Sequence, residues 1–363
     1  MSRPLLLSLL LVPVAIFGEA LGLPGWLLFF TSLGAIVPLA AVISAATEQV
    51  ALAKGSKVGG ALNATFGNVP DLFVGYFGVK AGLLTFVKAT MIGAIISNAA
   101  LILGLSFLVA GLRHGFVRFD AREAGRHTVL MLLAVAAMLL PSVAAATLRA
   151  TPALEELSDE IAIILLLSYL AYVAFSIFGW TRAESPEARS AVLARPLPET
   201  SVDAADPPAR WPLWVSLAVL IVAAGLLAPI ANVLVDAVTP AVHALGWTDA
   251  FVGVIVVANA GNASELYAAV RMGARGRLNL SLQIASGSSI QIAAFVTPVV
   301  VLLSLAWHPM DLVFRPIELA IVGLTVAVAA YIAHDGETNW LEGFQLVAIY
   351  AMAAAVFYVL PGA

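Results

Sequence analysis

The sequence contains no cysteine, few charged residues and no cluster of basic residues. The lack of cysteine excludes disulfides, iron–sulfur clusters and thiolate metal sites, so any bound metal must be held by oxygen or imidazole ligands. Only 11% of the 363 residues are charged and 61% are hydrophobic, whereas a soluble domain carries about 25% charged residues. A net charge of -4 without a basic cluster gives no indication of a nucleic-acid partner. The composition therefore predicts an integral membrane protein in a lipid bilayer.

Long apolar runs are abundant, and they define the predicted topology. A membrane-spanning helix needs roughly 20 mostly apolar residues. The first run follows Arg3 without a clear cleavage site, so we interpret it as a membrane helix and not as a signal peptide. The predicted fold class is an all-α integral membrane protein with eleven transmembrane helices. The predicted spans lie at about residues 4–23, 26–46, 59–79, 84–112, 127–147, 160–180, 211–232, 248–270, 279–307, 314–334 and 341–360.

The basic residues are distributed unequally between the two sides of the predicted membrane. With eleven crossings, fourteen Lys and Arg residues fall on the amino-terminal side and four on the opposite side. Cytoplasmic loops of membrane proteins carry an excess of Lys and Arg. The asymmetry predicts a cytoplasmic amino terminus, in an inner or plasma membrane of bacterial type. The four residues on the opposite side are Lys80, Lys88, Arg149 and Arg315.

Two polar motifs recur at a fixed spacing of 194 residues. Asn and acidic residues are rare inside membrane spans, so their recurrence is difficult to ascribe to composition alone. Each copy contains five predicted helices, so the second copy enters the membrane with the opposite orientation, as in many secondary transporters. The matched pairs are Gly67 with Gly261, Asn68 with Asn262, Asp71 with Glu265 and Gly93 with Gly287.

A charged segment rich in proline separates the two copies. Residues 181–210 contain five prolines and nine charged residues, a composition typical of an exposed linker. The predicted organisation is a first transmembrane helix at 1–25, a five-helix repeat at 26–180, a cytoplasmic linker at 181–210 and an inverted five-helix repeat at 211–363.

Asp71 and Glu265 are carboxylates within apolar spans. A charged side chain there costs about 2.5 to 3.5 kcal/mol even on lenient insertion scales. No Lys or Arg lies within either spanning core, so a metal ion or protons are the natural candidates to neutralise them. The competing interpretation is a structural polar pair between helices, and the recurrence of the acids in both halves argues against it.

Oxygen-bearing side chains accompany both carboxylates. Asn68 and Asn262 lie three residues before them and share their helix faces. The following helix in each half adds further oxygens, and calcium takes about six to eight oxygen ligands in flexible geometry. The absence of cysteine and of histidine at mid-span argues against a transition metal. The predicted metal ligands are Asp71, Glu265, Asn68, Asn262, Ser97, Asn98, Ser288 and Gln291.

The two carboxylates are also predicted to couple two ions. Facing carboxylates in a dry site can hold either one divalent cation or protons, so loading by the two ions is mutually exclusive. The sequence thus predicts a secondary active transporter that exchanges Ca2+ for H+, with no enzymatic chemistry and no cofactor motif. Glu48, at the end of the second span, is a candidate gate, although a solvated interfacial carboxylate is the more ordinary interpretation. The five histidines lie near predicted span ends or in loops, and none is assigned to a site.

These motifs resemble those of the calcium/proton exchangers of the calcium/cation antiporter superfamily. The resemblance covers nearly the whole chain. It implies eleven helices, alternating access and two acidic positions as central calcium ligands, which correspond here to Asp71 and Glu265. The runs that carry it are Leu62–Asn68, Ala258–Glu265, Gly287–Gln291 and Asp335–Gly343.

The first repeat departs from the usual pattern of that family. The family usually has glutamate where this chain has Asp71, and the preceding Pro70 is more reminiscent of sodium/calcium exchangers. A sodium-coupled exchanger of calcium or another divalent cation is therefore the nearest alternative. A channel fits an inverted repeat less well than alternating access does. An intramembrane aspartyl protease would need a Gly-x-Gly-Asp signature, which the sequence lacks.

Overall fold

The computed structural model describes residues 7–54, 62, 65–148, 152–178 and 211–360. Within these ranges the chain is predominantly helical, and the strands there are two short ones, β1 at Val117–Arg118 and β2 at Glu337–Thr338. The predicted helical class is confirmed at this level. The predicted linker at 181–210 lies outside the described residues.

The described part of the first half of the chain is mostly helical. Gly82, in the turn after the third helix, adopts a φ of 75°, a backbone conformation that glycine accepts without strain. The helices are α1 (Leu11–Phe17), α2 (Gly25–Lys54), α3 (Val69–Lys80), α4 (Leu84–His114), α5 (Ala121–Leu148) and α6 (Pro152–Phe178).

The second half repeats much of this plan. Gly276, which lies 194 residues after Gly82, has a φ of 71° in the matching turn. The helices are α7 (Leu213–Asp236), α8 (Val238–Leu245), α9 (Asp249–Gly261), α10 (Ala263–Gly273), α11 (Leu278–Ser304), α12 (Pro316–Ile332) and α13 (Trp340–Val359). α10 and α11 begin 194 residues after α3 and α4, respectively.

Seven helices of the described part are long and apolar enough to cross a membrane. They are α2, α4, α5, α6, α7, α11 and α13. The adjoining helices α8 and α9 meet the same criterion together, but they are bent by 115°. α12 has 17 residues and is shorter than these spans. The protein is therefore an integral membrane protein.

Some predicted spans are not continuous helices. The prediction of one helix over 248–270 was wrong, because α9 ends at Gly261 and α10 begins at Ala263, with Asn262 between them at φ -85° and ψ 8°. Asn68 likewise leaves helical geometry before α3. Glycine and asparagine are poor helix formers, which favours a break at both motifs. The first predicted span is also shorter, because turns follow α1 up to Gly22.

The most deeply buried spans are α4 and α11, whereas α5, α6 and α13 expose apolar faces. At Gly93, α4 packs so closely against α9 that a Cβ atom would overlap the Val254 backbone. At one end of the molecule β1 pairs antiparallel with β2, with Val117 opposite Thr338. Because α4 and α11 are buried, their middle segments lie in the interior, and these segments carry several polar side chains.

Candidate cation-binding site

Both motif carboxylates lie in the first turn of a helix that follows a break. Asp71 is in the first turn of α3 and Glu265 in the first turn of α10. A helix amino terminus carries a partial positive charge and unpaired N–H groups, which favour a negative side chain there. Pro70 fits this position because the first turn of a helix does not need its missing N–H group. The breaks therefore create a polar environment at both acids.

Asp71 lies against the second half of the chain, close to the segment that precedes Glu265. Asp71 is buried, with 8% of its surface exposed, and Glu265 is half-buried. A Cβ atom placed on Gly261 would lie 2.8 Å from Asp71 Oδ1, so this carboxylate touches the broken helix that carries Glu265. Among the described residues, the ion pairs involve neither Asp71 nor Glu265.

A polar cluster joins α4 and α11 to the break before α3. Asn68 donates from Nδ2 to Gln291 Oε1, and its Oδ1 accepts from the Ser288 hydroxyl at 3.3 Å. Ser288 in turn accepts from Asn98 Nδ2 at 3.0 Å. In the part of the chain that the structure describes, Asn98 Oδ1 is buried without a hydrogen-bond partner. An orphaned buried oxygen is unfavourable unless a cation, a water or a proton donor satisfies it.

The second broken segment is joined to the other half in the same way. Asn262 donates from Nδ2 to the Ala94 carbonyl oxygen at 3.2 Å, and Ser97 donates to Asn259 Oδ1 at 2.7 Å. Ser264 donates to Glu265 Oε2 at 2.7 Å. Donation from the Asn262 amide nitrogen leaves its oxygen available for a cation.

The eight predicted ligands thus lie on contacting segments: α3, α4, α11 and the α9–α10 junction. Glu48 is exposed near the end of α2. Among the described residues, no group of three or more His, Cys, Asp or Glu side chains could hold a metal ion. A cation here would be held by two carboxylates and by neutral amide, hydroxyl and carbonyl oxygens, a ligand set suited to calcium.

The family follows from comparison of the whole chain with known proteins. The pattern of the sodium/calcium exchanger protein family matches residues 24–178 and 215–359. The chain belongs to this exchanger family. It is 36% identical over 364 residues to a Ca2+/H+ antiporter of Aphanothece halophytica, covering 97% of this chain and 95% of that protein. This match confirms the predicted calcium/proton branch of the family.

Solved structures agree with this assignment. The Ca2+/H+ antiporter protein YfkE is 29% identical, with a TM-score of 0.80, and the match covers 99% of this chain and 100% of that one. The sodium-calcium exchanger NCX_Mj is 18% identical, with a TM-score of 0.59, over 92% of this chain and 97% of that one. At 18% identity, the similarity to NCX_Mj shows only that the two proteins share a fold.

Two basic side chains of this exchanger-family chain lie near the starts of their helices. His127 is in the second turn of α5, near the span end as expected, and it is buried, with Nδ1 at Ser286 Oγ. Lys88 lies in the second turn of α4 and forms an ion pair with Asp311. Lys88 is paired elsewhere and neutralises neither site carboxylate.

Proposed function

We propose that this protein exchanges Ca2+ for H+ across a membrane by alternating access, with Asp71 and Glu265 as the shared binding groups. The observation that carries the proposal is the placement of the two acids. Each lies in the first turn after a helix break, and among the described residues neither forms an ion pair. A carboxylate pair with one member buried and the other half-buried, and without a basic partner, requires a cation or protons to neutralise it.

The proposed ligand set extends beyond the carboxylates. Asn98 Oδ1 is a buried oxygen without a protein partner in the described residues, and Asn262 Oδ1 is left available by its amide donation. Ser97 has its hydroxyl hydrogen directed to Asn259. Ser288 and Gln291 each form a hydrogen bond with Asn68, so we assign these three residues a structural role in this conformation as well as ligation. The transported Ca2+ is the substrate, and no cofactor or catalytic residue is proposed.

We also infer that the chain consists of two inverted five-helix repeats after a first helix, which gives eleven transmembrane helices. The contacts across the two halves support this. Asn68 bonds Ser288, and Asn262 bonds Ala94. A shift of 194 residues converts the members of one pair into those of the other. The segment before α3 is thus bonded to α11 and the α9–α10 junction to α4, a symmetric arrangement of the kind found in transporters with inverted repeats.

Protons are the proposed coupling ion, and sodium is the second candidate. The proton assignment is supported by the Ca2+/H+ antiporters at 36% and 29% identity. The sodium alternative is favoured by one feature, the Pro70–Asp71 pair in the first motif. The proposed orientation has the amino terminus and the 181–210 segment in the cytoplasm, in a bacterial-type inner or plasma membrane, as the Lys and Arg asymmetry predicts. Glu48 would then lie near the cytoplasmic end of α2, where a gate role is proposed for it.

The test is calcium-45 uptake into liposomes that contain the purified protein. A proton gradient is imposed without sodium, and parent, Asp71→Asn and Glu265→Gln proteins are compared. We expect gradient-dependent uptake in the parent and at least about a tenfold loss in both variants. Glu156→Gln is the matched control, because it removes the charge of an exposed carboxylate at the start of α6.

Two outcomes would change the assignment. Parent-like exchange by Asp71→Asn would overturn the role of the acids. Uptake that needs a sodium gradient and ignores the proton gradient would move the protein to the sodium-coupled alternative.

A further inference from the structure

A second buried polar group adjoins the site and connects three helices. Its members are Ser97 on α4, Asn259 on α9 and Tyr350 on α13. Ser97 is fully buried, and Tyr350 has 8% of its surface exposed. Asn259 and Tyr350 are 91 residues apart in the chain and are not among the predicted site residues.

The hydrogen bonds of Asn259 fix the orientation of its amide group. Nδ2 donates to the Ile255 carbonyl oxygen at 2.6 Å and to the Tyr350 hydroxyl oxygen. Oδ1 accepts from the Ser97 hydroxyl at 2.7 Å. Because an amide nitrogen carries two hydrogens, both donors are used. A flipped amide would place its oxygen against the Ile255 carbonyl oxygen, so the observed orientation is the stable one.

Ser97 differs from several buried serines of this protein in the acceptor of its hydroxyl hydrogen. Ser106, Ser158 and Ser289 each donate to the carbonyl oxygen four residues earlier in their own helix, the usual arrangement for serine inside a helix. Ser97 instead donates across the helix interface to Asn259. A hydroxyl has one hydrogen and two lone pairs, so a serine can ligate a cation only if its hydrogen is held away from that cation.

We propose that Asn259 and Tyr350 are positioning residues, which hold the Ser97 hydroxyl with its lone pairs available to the transported cation. This inference rests on the proposed function. Tyr350 orients the Asn259 amide, and the amide oxygen takes the hydrogen of Ser97. Without the phenol, the amide loses one of the acceptors that fix it, and Ser97 is free to turn its hydrogen toward its own helix backbone.

The helix that carries Tyr350 is held firmly against the helix that carries Ser97. At Gly343, α13 approaches α4 so closely that a Cβ atom would overlap the Leu108 backbone. A Cβ atom on Gly104 would lie 2.8 Å from the Leu346 Cβ atom. Glycine on both helices therefore allows backbone contact between them. The phenol and the serine keep a fixed separation, which a positioning role requires.

The positions that match Asn259 and Ser97 in the repeat carry other residue types. A shift of 194 residues pairs Asn259 with Thr65 and Ser97 with Gln291. Gln291 accepts from Asn68, which is itself part of the first motif. The contribution of Ser97 is thus set from outside the two motifs, by α13.

The test is the Ca2+ dependence of proton-driven calcium-45 uptake by Tyr350→Phe, Ser97→Ala and the double variant. We expect Tyr350→Phe to raise the KM for Ca2+ about three- to tenfold, with the maximal rate within about twofold of the parent. Ser97→Ala should raise KM at least as much. The double variant should match Ser97→Ala alone, because a residue that acts through Ser97 has no effect once that hydroxyl is absent.

Tyr358→Phe is the matched control, since Tyr358 lies on the same helix with 59% of its surface exposed. Asn259→Ala provides a second route to the same result and carries the test if Tyr350→Phe does not give monodisperse protein. An unchanged KM in Tyr350→Phe, or effects that multiply in the double variant, would overturn the proposal. If the KM of Tyr350→Phe is unchanged and Asp71→Asn and Glu265→Gln also exchange calcium normally, the proposed function itself has failed. If the KM of Tyr350→Phe is unchanged but these two variants are inactive, only the positioning role has failed.

Discussion

Asp71 and Gly261, which belong to the two matching motifs, are in direct contact across the two halves. A Cβ atom on Gly261 would lie 2.8 Å from Asp71 Oδ1, closer than a side chain can approach without displacing its neighbour. The carboxylate therefore occupies space that any residue other than glycine would fill. This contact sets how closely the second broken helix approaches the acid of the first.

Gly261→Ala should therefore weaken calcium binding without unfolding the protein. The added methyl group must displace the Asp71 carboxylate from the shared site, and we expect about a tenfold or larger rise in the KM for Ca2+ uptake. Gly225→Ala is the control, because a Cβ atom on Gly225 in α7 has no atom within 4 Å. Equal KM values for the two variants would show that the contact does not position Asp71.

Asn98→Ala should lower calcium affinity through loss of an uncommitted oxygen. Asn98 Oδ1 is buried without a partner in the described residues, and we expect about a tenfold weaker equilibrium binding of calcium-45 to the detergent-purified protein. Ser106→Ala is the control on the same helix, since the Ser106 hydroxyl donates only to the Ile102 carbonyl oxygen. Parent-like affinity in Asn98→Ala would remove Asn98 from the ligand set.

Gly93→Ala and Gly287→Ala should affect thermal stability differently, although the two glycines occupy matching positions in the repeat. A methyl group on Gly93 would overlap the Val254 backbone, whereas one on Gly287 has no atom within 4 Å. Overpacking typically costs about 1–3 kcal/mol, so Gly93→Ala should lower the thermal unfolding midpoint in detergent. Gly287→Ala should leave it near that of the parent. Equal midpoints would contradict the close crossing of α4 and α9.

The ion pair of Lys88 and Asp311 should contribute modestly to stability. Lys88 also donates to the Val313 carbonyl oxygen at 3.0 Å. The Asp311 side chain is 35% exposed, so solvent screens the pair and we expect Lys88→Met to cost about 1 kcal/mol. Thermal unfolding of Lys88→Met, Asp311→Asn and the double variant provides the check. Strictly additive effects would show that the two side chains do not interact energetically.

The repeat spacing allowed part of the candidate site to be predicted from sequence. Asp71 and Glu265 were predicted because charge inside an apolar run is unfavourable, and that argument needs no tertiary information. Their contact through Gly261 and the bond between Asn98 and Ser288 follow from how the two halves pack. No local pattern reports such packing, although matched positions in the two halves indicated that a shared site existed.

The helix breaks and the Asn259–Tyr350 pair were not predicted. A hydropathy window averages over about 20 residues, so a break at one residue such as Asn262 leaves the signal of a continuous span. Tyr350 has an ordinary aromatic position in an apolar helix, and its bond to Asn259 joins residues 91 positions apart. The start of α5 was not predicted for a related reason, because the helix begins at Ala121, before the apolar run does.

Each site helix contains a π-helical segment at a matching place, Ser97–Ile102 in α4 and Ile292–Val296 in α11. A π turn holds one residue more than an α turn, and one residue corresponds to about 100° of rotation around a helix axis. Each segment therefore sets the rotational phase between the part of its helix before it and the part after it. With one residue fewer, the part of either helix that follows the segment would turn a different face to its neighbours.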